Sequence, residues 1–96
     1  MAFEIVFTKE AETDFEEIIT YINYKFGTQS ANQFKTLILN FIELLQVFPE
    51  MGSMELPKEN IRCFVAHKRL KVFYTLSDER IIILRLFDTR QADFEL

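Results

Sequence analysis

Ninety-six residues are enough for one modest core, so we expect a single domain over 1–96 with no deep enclosed pocket for a large cofactor. Apolar types make up 49% and aromatics 15%, with only 2 Gly and 2 Pro, which excludes a disordered chain, a flexible linker and a collagen-like chain. The net charge of −4 argues against a generic nucleic-acid binder.

The start, Met1-Ala2-Phe3-Glu4, lacks the basic opening and apolar run of a secretory signal. No apolar stretch approaches the ~20 residues of a membrane span, so the expectation is a cytoplasmic protein with no membrane partner. Phe3, Ile5 and Phe7 alternate with Glu4, Val6 and Thr8, a period of two that predicts a short half-buried strand. Thr8 supplies an N-cap oxygen for a helix. Glu10, Glu12, Asp14, Glu16 and Glu17 follow, and read as a solvated face matched to the positive end of the helix dipole. Ala11, Phe15, Ile18, Ile22 and Phe26 recur at helical spacing and predict the buried stripe, with Gly27 as the stop.

Ser30 and Gln33 have the form of a capping box opening a second helix. Its stripe is Phe34, Leu37, Ile38, Phe41, Leu44, Leu45 and Phe48, closed by Pro49. The short connection predicts an antiparallel helix hairpin. Residues 49–59 hold both prolines and one glycine and read as an irregular loop.

The period then returns to two. Ile61, Cys63 and Val65 alternate with Arg62, Phe64 and Ala66, and Leu70, Val72, Tyr74 and Leu76 alternate with Lys71, Phe73 and Thr75. Residues 80–87 are Ile-rich and read as a strand buried on both faces for most of its length. His67-Lys68-Arg69 and Ser77-Asp78-Glu79 are short enough for hairpin turns, and 88–96 is a polar tail. The expected fold is α+β, a β-α-α-β-β-β two-layer sandwich with the helix hairpin packed on an antiparallel sheet. The sheet face away from the helices is expected to carry some of Arg62, Lys71 and Arg85, open to water or covered by a partner.

Charge is uneven along the chain. The first half carries −4 and the second is neutral, while residues 60–87 hold six basic side chains against Asp78 and Glu79. That cationic strand surface serves either solubility and edge protection or a partner.

The string Ala11-x-x-Asp14-Phe15-x-x-Ile18-x-x-Tyr21-Ile22, then Ala31-x-x-Phe34, then Leu44-Leu45-x-x-Phe48-Pro49-x-x-Gly52 sets out two helices and an exit loop. Ile61-Arg62, Val72-Phe73-Tyr74 and Leu84-Arg85-Leu86-Phe87-Asp88-Thr89-Arg90 follow in order. Over nearly the whole chain this resembles the RelE/ParE superfamily of toxins from bacterial type II toxin–antitoxin modules. The resemblance implies a cognate antitoxin, whose disordered or helical segment would fold on binding over the helix-hairpin groove and the sheet edge.

The superfamily divides by target. RelE-like members are similar to general acid–base ribonucleases that cut mRNA on the ribosome, which requires a base, an acid and cations for the phosphorane charge. Arg62, Arg85 and Arg90 would be the cations. Such nucleases are expected to carry a Tyr or His beyond the last-strand arginine, and residues 86–96 contain neither; Phe94 cannot carry a proton. ParE-like members inhibit DNA gyrase by binding, without chemistry of their own, and the acidic balance fits that branch. The expected function is therefore gyrase inhibition, not an enzyme activity. The ribosome-dependent mRNA endoribonuclease and a non-toxic decoy that binds antitoxin are the alternatives.

Arg62, Arg85 and Arg90 form the expected target-binding site, with no catalytic residue assigned, no small-molecule substrate, no cofactor and no metal. An arginine inside the Ile-rich strand needs a partner or a solvent opening, which makes Arg85 functional or structural on equal terms. Asp88 and Arg90 read as a local ion pair fixing the tail. His67 reads as a solvated turn residue, Tyr74 as core with a tethered hydroxyl, and Cys63 as an inert buried thiol. With one Cys and one His, the chain has too few soft ligands for a zinc site.

Overall fold

A computed structural model describes residues 3–66 and 70–89. The opening strand β1 is Glu4–Phe7, followed by helices α1, Lys9–Phe26, and α2, Thr28–Val47. Then come β2, Ser53–Leu56, a 3₁₀ turn at Pro57–Glu59, and the strands β3, Ile61–Ala66, β4, Leu70–Ser77, and β5, Arg80–Asp88. The two helices lie on one five-stranded sheet of order β1-β5-β4-β3-β2.

The α+β sandwich is the expected one, with two refinements to its sheet. The sheet is mixed, because β1 runs parallel to β5 while all other pairs are antiparallel. The helix hairpin carries the chain from β1 at one edge of the sheet to β2 at the other, and the β1–β5 pairing closes the return. It also places β5 between two neighbours, which is why Ile82 and Leu84 are half-buried on the far face while Ile81 and Ile83 are buried against the helices. Beyond Leu84 the burial alternates, with Arg85 and Phe87 exposed, so the strand is not two-sided over most of its length. The second refinement lies in 49–59, which is not wholly irregular. Ser53–Leu56 pairs along β3 as an edge strand with every residue exposed, so it carries no apolar alternation for sequence reading to detect.

Local chemistry sets the helix ends. The Thr8 hydroxyl accepts from the Ala11 N–H at 3.1 Å, the predicted N-cap. Gly27 ends α1 at φ 96°, a conformation that side chains rarely adopt, and it also precedes α2, so the helix connection is one residue. The Ser30–Gln33 capping box does not form. The helix already begins at Thr28, with no side-chain cap, because the Gly27 carbonyl accepts the first turn's bond from Ala31.

The helix-facing core joins Ala11, Ile18 and Ile22 of α1 with Phe34, Ile38, Phe41 and Leu45 of α2, over Val72, Tyr74, Ile81, Ile83 and Leu86. Phe41 stacks on Phe64 of β3 with ring centroids 5.2 Å apart. The ends of the predicted stripes behave otherwise. Phe26, Leu44 and Phe48 are about half exposed. Between α2 and β3 an apolar groove opens over Leu37, Phe41, Leu44, Phe64 and Ala66.

Candidate functional site

Strand register sorts the basic residues onto two faces. Arg62 stands opposite Tyr74, and Phe64 opposite Val72, so Arg62 lies on the helix side of the sheet. Arg85 stands opposite Phe73, and Lys71 opposite Phe87, on the helix-free side. Of the three arginines expected together, the structure therefore places two on opposite faces. The third, Arg90, lies outside the described residues, as does His67. Asp88 is buried, but its expected pairing with Arg90 involves a residue outside the described set.

On the helix side, Arg62 holds the loop that leaves α2. Its Nη1 donates to the Glu50 carbonyl at 3.1 Å and to the Gly52 carbonyl at 2.8 Å. Its Nε is buried with no hydrogen-bond partner among the described residues. Tyr74 finishes the clamp, donating to the Pro49 carbonyl at 2.8 Å and accepting from the Gly52 N–H at 2.9 Å. Gly52 is required here, because a Cβ would sit 2.8 Å from the Tyr74 hydroxyl and 3.0 Å from the Cys63 carbonyl. Tyr74 is fully buried, and burial pushes its pKa above the ordinary value. Burial likewise raises the Cys63 thiol. Both stay protonated at neutral pH, as tethered core hydroxyl and inert thiol.

On the helix-free side the picture differs. Arg85 lies with its guanidinium carbon 5.1 Å from the centre of the Phe87 ring, and Phe87 meets Phe73 edge-on at 5.8 Å. Phe87 is 42% exposed, with Val65 exposed in the same cross-strand row beyond Lys71. The result is an open, apolar and cationic patch made of Val65, Lys71, Phe73, Arg85 and Phe87.

Asp14 is the residue that sequence reading misplaced. Instead of a solvated helix-face carboxylate it is buried, accepting from Arg85 Nε at 2.7 Å, Arg85 Nη2 at 3.1 Å and the Leu86 backbone N–H at 3.0 Å. These bonds raise the Arg85 pKa above its ordinary value, with the Asp14 hydrogen bond the main cause. A signal was present. Asp14 falls three residues after Ala11 and four before Ile18, inside the apolar stripe, and a carboxylate there needs a cation. Arg85, the arginine that interrupts the apolar run of β5, is the cation it meets.

The Arg85 site is built at a β-bulge. Phe73 pairs with Arg85 but Tyr74 pairs with Ile83, so Leu84 is the extra residue. The first turns of α1 take up the backbone groups of β5 beyond the end of β1. The Thr8 N–H donates to the Ile83 carbonyl, the Thr8 hydroxyl to the Leu84 carbonyl, and Asp14 receives the Leu86 N–H. Among the described residues, no three His, Cys, Asp or Glu side chains come together as metal ligands would. No described helix is long and apolar enough to cross a membrane.

Comparison with known proteins now places the fold. Residues 5–93 match the model of the ParE toxin of the type II toxin–antitoxin system, parDE. The chain belongs to that family, within the RelE/ParE superfamily. Among solved structures it is similar to a protein of the chromosomal ParDE system of P. aeruginosa, with 19% identity and TM-score 0.75 over 91% of this chain and 96% of that one. A copper-bound mutant toxin from Helicobacter pylori is similar at 16% identity and TM-score 0.61, covering 96% and 98% of the two chains. A further H. pylori protein, described as conserved and hypothetical, follows at 14% and 0.52, over 92% and 96%. A comparison with curated proteins finds no match.

Proposed function

We propose that this toxin inhibits DNA gyrase by binding it through the helix-free sheet face, and that a cognate antitoxin restrains it. The observation that carries this reading is the Phe87–Arg85 pair, exposed beside Phe73, Val65 and Lys71 on a face that the helices leave open. An aromatic and an arginine on an apolar surface are the residue types that anchor protein interfaces. Among the described residues, Tyr74 and Cys63 are buried with raised pKa values and so are poorly placed to exchange a proton, which supports binding over acid–base chemistry. Arg85 is the proposed contact. Arg62 contributes through the loop it holds, and Arg90 is proposed from its place just beyond β5. The apolar groove beside α2 and the exposed strand β2 suit an antitoxin segment that folds as it docks.

The test is direct. Purified protein is assayed against gyrase supercoiling and against mRNA on ribosomes. Supercoiling is expected to stop while the mRNA stays intact, and Phe87→Ala and Arg85→Ala are expected to weaken the block. A ribosome-dependent mRNA cut would overturn the gyrase reading in favour of the nuclease. Inactivity in both assays would favour the decoy.

A further inference from the structure

Arg85 carries a long flexible side chain, yet its position is fixed from three directions. The bulge at Leu84 shifts the strand so that Arg85 shares a face with Phe73 and Phe87. The Phe87 ring forms a floor 5.1 Å from the guanidinium carbon. Asp14 holds one edge of the fork, Nε and Nη2, with both carboxylate oxygens. Asp14 cannot swing away, since the Leu86 backbone N–H also holds it and its side chain is only 11% exposed. The Arg85 side chain is 48% exposed, so the guanidinium is fixed without being enclosed. Its other edge, Nη1 with the second Nη2 hydrogen, is a two-pronged donor that fits a carboxylate end-on.

We propose that Asp14 is a positioning residue that presents the outer edge of Arg85, which bonds to no other described residue, to a carboxylate side chain on the protein target. This role rests on the gyrase contact proposed above. Asp14 itself does not touch the target, being covered by its own partners. Its effect is preorganisation, because a guanidinium already held in its bound geometry loses less freedom on binding.

The experiment is a double-mutant cycle with Asp14→Asn, Arg85→Ala, Arg85→Lys and the pair Asp14→Asn/Arg85→Ala. Binding to purified gyrase is measured at a temperature where melting curves show each variant folded. Arg85→Ala is expected to weaken binding about tenfold or more, as an interface anchor does. Arg85→Lys is expected not to restore it, since an ammonium lacks the fork. Asp14→Asn keeps the shape and the acceptor for Leu86, and is expected to weaken binding severalfold with Arg85 present and not at all in the Arg85→Ala background. Full affinity in Arg85→Ala would overturn the Arg85 contact itself. Loss in Arg85→Ala with unchanged Asp14→Asn would overturn positioning alone, as would an equal effect of Asp14→Asn in both backgrounds. NMR of the Arg85 Nε–H gives a second readout that needs no target. A distinct, slowly exchanging signal is expected, lost in Asp14→Asn, and a wild-type signal already averaged with the other arginines would overturn the role.

Discussion

Arg62 and Arg85 lie on opposite faces of this sheet, and the two have opposite surroundings. Arg62, on the covered face, directs Nη1 at two loop carbonyls and buries Nε without a partner among the described residues. Arg85, on the open face, meets a buried carboxylate along one edge and solvent along the other. Arg62 holds the protein's own backbone, whereas Arg85 is held by the protein. An arginine in a strand is therefore read by what its N–H groups meet, and of these two it is Arg85 that keeps an edge open to solvent.

Substitutions at the aromatic rings test the contrast most strongly. Phe41, stacked on Phe64 in the covered core, is 5% exposed, and Phe41→Ala is expected to cost about 3–5 kcal/mol in urea unfolding. Phe87→Ala, on the open face, is expected to cost well under half of that while weakening target binding. Equal losses would mean that the open face is part of the core.

The loop clamp comes next. Tyr74→Phe leaves the Pro49 carbonyl and the Gly52 N–H without their partner, at an expected cost of about 1–3 kcal/mol by thermal or urea unfolding. Gly52→Ala drives a methyl into the Tyr74 hydroxyl and the Cys63 carbonyl, at a similar about 1–3 kcal/mol. Because both changes act on one contact, the double variant is expected to lose less than the two effects added.

Arg62→Ala sharpens the comparison further. It is expected to cost about 1.5 kcal/mol, the low end for a charged hydrogen bond, because the side chain is partly exposed. Arg62 was one of the residues expected on the sheet face away from the helices, and its register opposite Tyr74 and its buried Nε correct that. A variant as stable as wild type would remove the clamp from the account.

The smallest effect is in the alkaline range. Tyr74 has a raised pKa because burial disfavours the phenolate. As pH rises past about 10, the unfolded chain releases this proton first. The stability present below that point is then lost as pH climbs through the raised folded value. Tyr74→Phe is expected to flatten this part of the urea-midpoint profile, and an unchanged slope would show that the hydroxyl is not buried.

Periodicity made most of the architecture legible. Thr8 as cap, Gly27 as stop, the 3.6-residue stripes and the return to alternation at Ile61 all depend on neighbours in sequence. The Ser30–Gln33 box was legible but misleading, because the helix already begins at Thr28, capped by Gly27, which leaves Ser30 inside its first turn. Strand β2 was illegible because no residue in it is buried.

The site divides along the same line. Sequence by itself determined that Arg85 interrupts an apolar strand and needs a partner or an opening, since an unpaired buried charge is costly. It determined equally that Tyr74 and Cys63 belong to alternating, mostly buried strands. Only the tertiary structure decided that Asp14, 71 positions away, is the partner of Arg85, and that Arg62 faces the helices. Both outcomes depend on register. The Leu84 bulge and the parallel pairing of β1 fix which side of β5 each residue takes, and a one-residue slip would exchange the faces.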